Sequence, residues 1–249
     1  MKFIPFSAVF ALLLFFGVYF YSNLLTQKPK RPGQIKVQPN PKVITSSVEA
    51  PTEQIPKLVL ISVPFSPQAP FAQWKDPREQ DGCEEAAAMI AMHWVENKPL
   101  SQKESKAEIL TVSHFQSDTY GLFVDTSAKD TLARIITGYY HYPKAFLIEN
   151  VSLEQIIAEL DRGNILITPM NGRALKNPHF TQPGPERHMV VIRGYDPMTK
   201  EIITNDPGIA QGENYRYPED IFYNAIRDYP TGDHVPITEI KKVAIVVSR

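Results

Sequence analysis

The chain has 249 residues, 43% hydrophobic and 21% charged, a balance that suits a globular domain and excludes a wholly disordered or fibrous chain. The net charge of -1 conceals an asymmetry: residues 1–57 carry seven Lys or Arg against two acids, and the remainder carries 19 against 25, so a basic leader joins an acidic body. A single cysteine excludes a disulfide scaffold.

Phe3 to Leu25 contains no charged residue. A helix of that length spans roughly 35 Å, more than the ~30 Å bilayer core. The pattern predicts a transmembrane anchor over residues 1–25. Tyr19-Phe20-Tyr21 is bulky where a signal-peptide cleavage site wants small residues, so cleavage is the alternative. Lys28, Lys30 and Arg31 follow the run and by count would keep the body in the cytoplasm. Lys2, followed at once by the apolar run, resembles a secretory start. The reading favoured is an exported body, outside the cytoplasm. Thr26 to Lys57 holds six prolines and no aromatic residue, which predicts an extended polar linker over 26–57. A folded domain is then expected over 58–249, long enough for one sizeable core.

Within that body, Leu58–Val63 reads as a short strand ended by Pro64. Glu84–Asn97 reads as an alanine-rich helix with Ile90 and Trp94 on one face. Ser101-Gln-Lys-Glu104 and Ser152-Leu-Glu-Gln155 are capping-box patterns that open two further helices, the second stopping at Gly163. Thr131–Tyr140 and Glu219–Arg227 also read as helical. Strands are expected at Ile165–Pro169, Met189–Gly194, Glu201–Thr204 and Val243–Val247, with a hairpin through Asp196–Lys200. Helices first and antiparallel strands after give an α+β layout.

Cys83 follows the turn Asp81-Gly82 and opens a helix. Free N–H groups and the dipole there favour a thiolate, the form in which cysteine is a nucleophile. Glu84 and Glu85 oppose this if they face the thiol, and suit the first helical turn if they face outward. A buried structural Cys is the alternative. Among six histidines, His188 stands immediately before the apolar run Met189–Gly194, where a strand end would present it to a thiol. His93 reads as structural and the other four as surface residues. The next strand ends in Asn205-Asp206-Pro207. A hairpin brings that end beside His188, so Asp206 can fix the imidazole tautomer. Asn205 competes, but alternation allows only one of the two to face the histidine.

The stretches VPFSPQAPF, DGCEEAA, RHMVVIRGYD and ITNDPG, in this order over most of Leu58 to Gly212, resemble papain-like cysteine peptidases of the family 39-like group, related to bacteriocin-processing double-glycine leader peptidases. The resemblance implies a helical part carrying the Cys packed on an antiparallel sheet carrying His and Asp. It places the nucleophile on Cys83, the base on His188, the orienting acid on Asp206 and the oxyanion-hole glutamine on Gln68, with Gln80 as rival. Two features depart from the best-known members: Glu84 stands where they have Gly, and no GxxxxGK[ST] nucleotide loop is present.

The expectation is a membrane-anchored peptidase cleaving peptide bonds of a peptide or protein substrate through a thioester, with no cofactor and no metal. Acyl or peptidyl transfer through the same thioester is one alternative. A non-catalytic peptide-binding module of the same fold is another. The acidic body argues against nucleic acid as a partner.

Overall fold

The structure, a computed structural model, describes residues 57–249. The expected anchor over 1–25 and all but the last residue of the expected linker lie outside those residues. Among the described residues no helix is long and apolar enough to cross a membrane.

In chain order the elements are β1 (Val59–Leu60), α1 (Pro77–Gln80), α2 (Cys83–Glu96), α3 (Gln102–Tyr120), α4 (Ala128–Asp130), which runs into a π-helix (Thr131–Tyr139), and β2 (Ala145–Glu149). Then follow α5 (Leu153–Asp161), β3 (Ile165–Met170), α6 (Gly172–Leu175), β4 (His188–Asp196), β5 (Glu201–Asn205), β6 (Tyr215–Pro218), α7 (Glu219–Ala225) and β7 (Val243–Val247). The strands form one antiparallel sheet in the order β2-β7-β3-β4-β5-β6, with β1 on β4. This is the α+β class, helices gathered around an antiparallel sheet.

Period-two alternation divides the core between the two sheet faces. Ile165, Ile167, Met189, Val191, Ile245 and Val247 pack with Ala87, Ile90, Ala91 and Trp94 of α2. Leu166, Val190, Ile192 and Val246 pack with Ile156 and Leu160 of α5 and Phe222 of α7. Helices thus cover both faces, which is why β3 and β7 are buried along their full length. The three alanines Ala86–Ala88 are fully buried, letting α2 approach the sheet closely. Ser152 caps α5 in a reciprocal capping box with Gln155, and Ser101 caps α3.

Four of the elements that differ from the sequence reading bear on the sheet and its core. The strand expected over Leu58–Val63 pairs only at Val59 and Leu60, against Tyr195 and Gly194. From Ile192 back to His188 that edge of β4 belongs to β3, so β1 must leave. The helix at Thr131–Tyr139 is of the wider π type and turns Ile135 and Ile136 into the core. Strands β2 and β6 are absent from the sequence reading. They are the two edge strands of the sheet, where half-exposed residues such as Phe146 and Arg216 blur the alternation.

Gly194 is where β1 touches the sheet. A Cβ there would lie 2.4 Å from the Val59 carbonyl oxygen. Gly194→Ala should cost about 1–3 kcal/mol and lift β1. Hydrogen exchange at the Ile61 amide, which donates to the Arg193 carbonyl at 2.9 Å, should accelerate. Unchanged protection at Ile61 would contradict this account of β1.

Candidate active site

His188 is the first residue of β4, and Asp206 follows β5 directly. The register Val191↔Asn205 sets the two strand ends side by side. His188 shares its face with Val190 and Ile192, and Asp206 shares its face with Ile202. The structure brings the pair together: His188 Nε2 lies 2.7 Å from Asp206 Oδ1, with the side chains 3% and 0% exposed. Tyr217 Oη donates to Asp206 Oδ2 at 2.6 Å, and the Gly208 N–H donates to Oδ1 at 2.9 Å. Asn177 Nδ2 in turn donates to the Tyr217 hydroxyl at 2.6 Å.

Burial alone would raise the Asp206 carboxyl. The His188 charge and the bonds from His188, Tyr217 and the Gly208 amide outweigh burial, so the group sits below the ordinary carboxylate value. Asn205 faces the other way. Its amide nitrogen donates to the Pro64 carbonyl at 2.9 Å, and its Oδ1 accepts from Arg193 at 3.2 Å.

The imidazole is packed as well as bonded. The Phe180 ring meets it edge to face at 5.3 Å between centroids. Gly208 passes close beneath it, where a Cβ would fall 2.7 Å from His188 Cε1. Only a residue without a side chain fits between the imidazole and Phe180.

Cys83 opens α2 after Gly82, as the sequence predicts, but its electrostatic setting differs from that prediction. Cys83 and both following glutamates are buried, at 7%, 1% and 0% exposure. The thiol donates to Glu84 Oε2 at 3.1 Å. Glu84 Oε1 accepts from the Tyr229 hydroxyl at 2.8 Å and the Thr126 N–H at 3.2 Å. Glu85 Oε1 accepts from Gln116 at 2.8 Å and from Ser113 at 3.3 Å.

Burial pushes the Cys83 thiol well above its ordinary value, and the Glu84 charge, then Glu85 and Asp125, push it further. The helix dipole is worth about 0.3–1 kcal/mol. Removing a thiolate from water beside a carboxylate outweighs that contribution, so burial wins. Burial likewise pushes Glu84 up to about 7, against the pull of its bonds to Cys83 and Tyr229.

Among the described residues no hydrogen bond joins Cys83 to His188. The thiol belongs to the core cluster on the α2 face, with Met189 and Val191. Helix α2 packs on β4, but the thiol is turned toward Glu84.

Gln68 is 4% exposed, and its backbone N–H donates to the Pro207 carbonyl at 2.8 Å. Its Nε2 donates to the carbonyls of Glu79 at 3.0 Å and Gln80 at 2.8 Å, while its Oε1 is buried without a partner. Both amide hydrogens of Gln68 are therefore committed to the segment that leads into Cys83. The Gln80 side chain makes no protein hydrogen bond among the described residues. Both glutamines line a cleft of about 630 Å³, together with Phe180 and Gly208 from beside the imidazole.

Of the remaining histidines, His179 lines the same cleft and meets Tyr215 edge to face at 5.9 Å. His93 bridges Pro99 and Glu108, His114 is exposed, and His234 binds Asp125. The sequence reading missed Tyr217, Phe180 and Tyr229. The Tyr215-Arg-Tyr217 alternation beside Asp206 was the available signal for the first of these.

A model of the Peptidase_C39 like family matches residues 61–231. The chain belongs to this family. The fold is similar to that in the crystal structure of a candidate C39-like peptidase from Bacillus anthracis, at 17% identity and a TM-score of 0.50, covering 78% of this chain and 98% of that one. No curated protein matches the chain.

The Cys83–Glu84 contact is testable. The rate of Cys83 alkylation by iodoacetamide should rise with pH to a midpoint above that of an ordinary thiol. Glu84→Gln should lower that midpoint, because the neighbouring charge is gone. Glu84 keeps its proton in the fold up to about pH 7, whereas the unfolded chain loses it near the ordinary carboxylate value, so ionising Glu84 destabilises the fold. Stability, measured by denaturant unfolding, should fall as pH rises between those two values, and Glu84→Gln should flatten the fall. An unshifted alkylation midpoint in the variant would rule out Glu84 as the thiol's controlling neighbour.

Proposed function

We propose that this C39-like family member is a membrane-anchored cysteine peptidase that hydrolyses peptide bonds through a thioester. The observation that carries the reading is the buried His188–Asp206 pair beside a cleft, in a chain whose one cysteine opens the helix packed on the same strand. His188 Nε2 faces Asp206. The proton of the neutral ring then sits on Nε2, and the lone pair of Nδ1 is left to accept another.

In this mechanism the thiol turns about its Cα–Cβ bond from Glu84 toward the imidazole and gives its proton to Nδ1. Asp206 stabilises the imidazolium. The thiolate attacks the carbonyl carbon, and the oxyanion takes hydrogen bonds from the Cys83 N–H, unpaired as at any helix start, and from a glutamine amide, which is Gln68 if it releases the carbonyls of Glu79 and Gln80. Gln80 is the rival donor, since its amide is uncommitted. The imidazolium protonates the leaving amine as the C–N bond breaks, leaving a thioester. Water, deprotonated by Nδ1, then hydrolyses the thioester and restores the thiol.

A second reading, a non-catalytic peptide-binding module, is favoured by one observation: the thiol is bonded to Glu84 and held above its ordinary value. Turnover separates the two readings. Cys83→Ala should abolish hydrolysis while preserving the fold, and Asp206→Asn should lower kcat roughly 10²–10⁴-fold. A thiol that an active-site-directed probe labels only after denaturation would favour the binding module.

We further propose that residues 1–25 hold the protein in the membrane, with the 58–249 domain outside the cytoplasm. The uncharged run Phe3–Leu25 and the early Lys2 support this. Removing residues 1–57 should leave a soluble domain that unfolds cooperatively. A reporter active only in the cytoplasm, fused after Arg249, should be silent, and a signal from it would refute the orientation.

A further inference from the structure

Among the described residues, the walls of the cleft beside His188 carry no Asp, Glu, Lys or Arg, and their one titratable side chain is His179. It is bordered by Gln68, Gln80, Trp74, Phe180, Ile209 and Gln211, with His179, small residues and prolines between them. Past Trp74, the charged residues Lys75, Asp76 and Arg78 border an adjoining groove that shares Ala72 and Trp74 with the cleft. At about 630 Å³ the cleft is in the range of sites that enclose a small ligand, roughly 300–1,000 Å³.

We propose that this cleft is the substrate subsite next to the reacting bond and that it selects uncharged, apolar or aromatic side chains of an extended peptide. The inference rests on the peptidase reading for where the reacting bond lies. Three observations carry it. The cleft is continuous with the imidazole through Phe180, whose ring meets His188 edge to face, and through Gly208, whose backbone passes beneath it. It reaches toward Cys83 through Gln80, three residues before the cysteine, so it adjoins both halves of the site. Its wall offers the half-exposed Trp74 and the buried Phe180 and Ile209 for contact, and neutral glutamine amides for the backbone of a bound peptide. A charged side chain entering it would lose hydration with no Asp, Glu, Lys or Arg in the wall to receive it, and His179 is the one group there that could meet an acid.

The test is binding by the full chain carrying Cys83→Ser, titrated with end-blocked hexapeptides. One set contains Ala, Leu, Phe and Gln. Matched sets replace one residue by Lys or by Glu. Of the two tryptophans in the chain, Trp94 is 2% exposed and Trp74 is 41% exposed on the cleft, so fluorescence reports chiefly on Trp74. Neutral peptides should bind at least about tenfold tighter than either charged set. Gln211→Glu, at an exposed position of the wall, should weaken the Glu set and tighten the Lys set several-fold. The same change in the wild-type chain should move kcat/KM in parallel.

Equal binding of all three sets, failure of every set to bind, or a Gln211→Glu variant without a charge preference would each overturn the proposal. Selective binding together with a Cys83 that no thiol probe reaches would leave the subsite standing and remove the peptidase reading.

Discussion

The Asp206 carboxylate is the constraint around which this end of the sheet is arranged. A carboxylate removed from water costs several kcal/mol unless its oxygens are bonded. Here Oδ1 is met by the imidazole and by the Gly208 amide, and Oδ2 by the Tyr217 hydroxyl. Each partner comes from a different piece of chain: the start of β4, the turn after β5, and edge strand β6. The β4–β5 register places the imidazole, the turn places the amide, and the β5–β6 pairing places Tyr217. Loss of any one partner leaves a buried charge under-bonded, so strand pairing and site geometry stand or fall together.

The start of α2 is built on the opposite principle. Glu84 and Glu85 are as buried as Asp206, yet their partners are hydroxyls, an amide side chain, a backbone N–H and a thiol, with no cation among their hydrogen bonds. Neutral donors cannot offset the burial of a charge as a neighbouring imidazolium can. The Asp206 carboxyl is therefore held low, and Glu84 and Glu85 are held high. The molecule places an ionised carboxylate behind its histidine and protonation-prone carboxyls beside its cysteine. The resting thiol in this structure is a hydrogen-bond donor to Glu84.

Much of this was legible in the sequence, for physical reasons. The long apolar runs at β3, β4 and β7 are central strands, whose burial on both faces leaves a plain signal. The capping pattern at Ser152 was legible because its side-chain bonds are local. The adjacency of His188 and Asp206 followed from a short hairpin; alternation on a strand let only one of Asp206 and Asn205 face the imidazole, and the chemistry of a carboxylate beside an imidazolium chose Asp206. The family was readable from four short stretches in a fixed order. What sequence could not carry was the direction of side chains set by distant chain. Glu84 could point outward as a first-turn acid or inward to Tyr229, 145 residues away. Only the packing of the late loop against α2 decides this. Gln68 likewise reads as an oxyanion donor by position, while its hydrogens are taken by the carbonyls of Glu79 and Gln80.

The alternation that made the His–Asp pair legible also limits where a thiol can meet it. Met189 and Val191 face α2 and Cys83, so His188, one step earlier on β4, shares the other face with Val190 and Ile192. A nucleophile on one face and a base on the other can approach only where the strand ends and the pleat no longer separates them. His188 is the terminal residue of β4, and Asp206 lies one residue past the end of β5. The segments that continue from these ends, through Phe180 on one side and Gly208 to Gln211 on the other, border the cleft. An antiparallel sheet covered on both faces therefore leaves its open end as the place where side chains from both layers and a peptide can converge, and the cleft lies there.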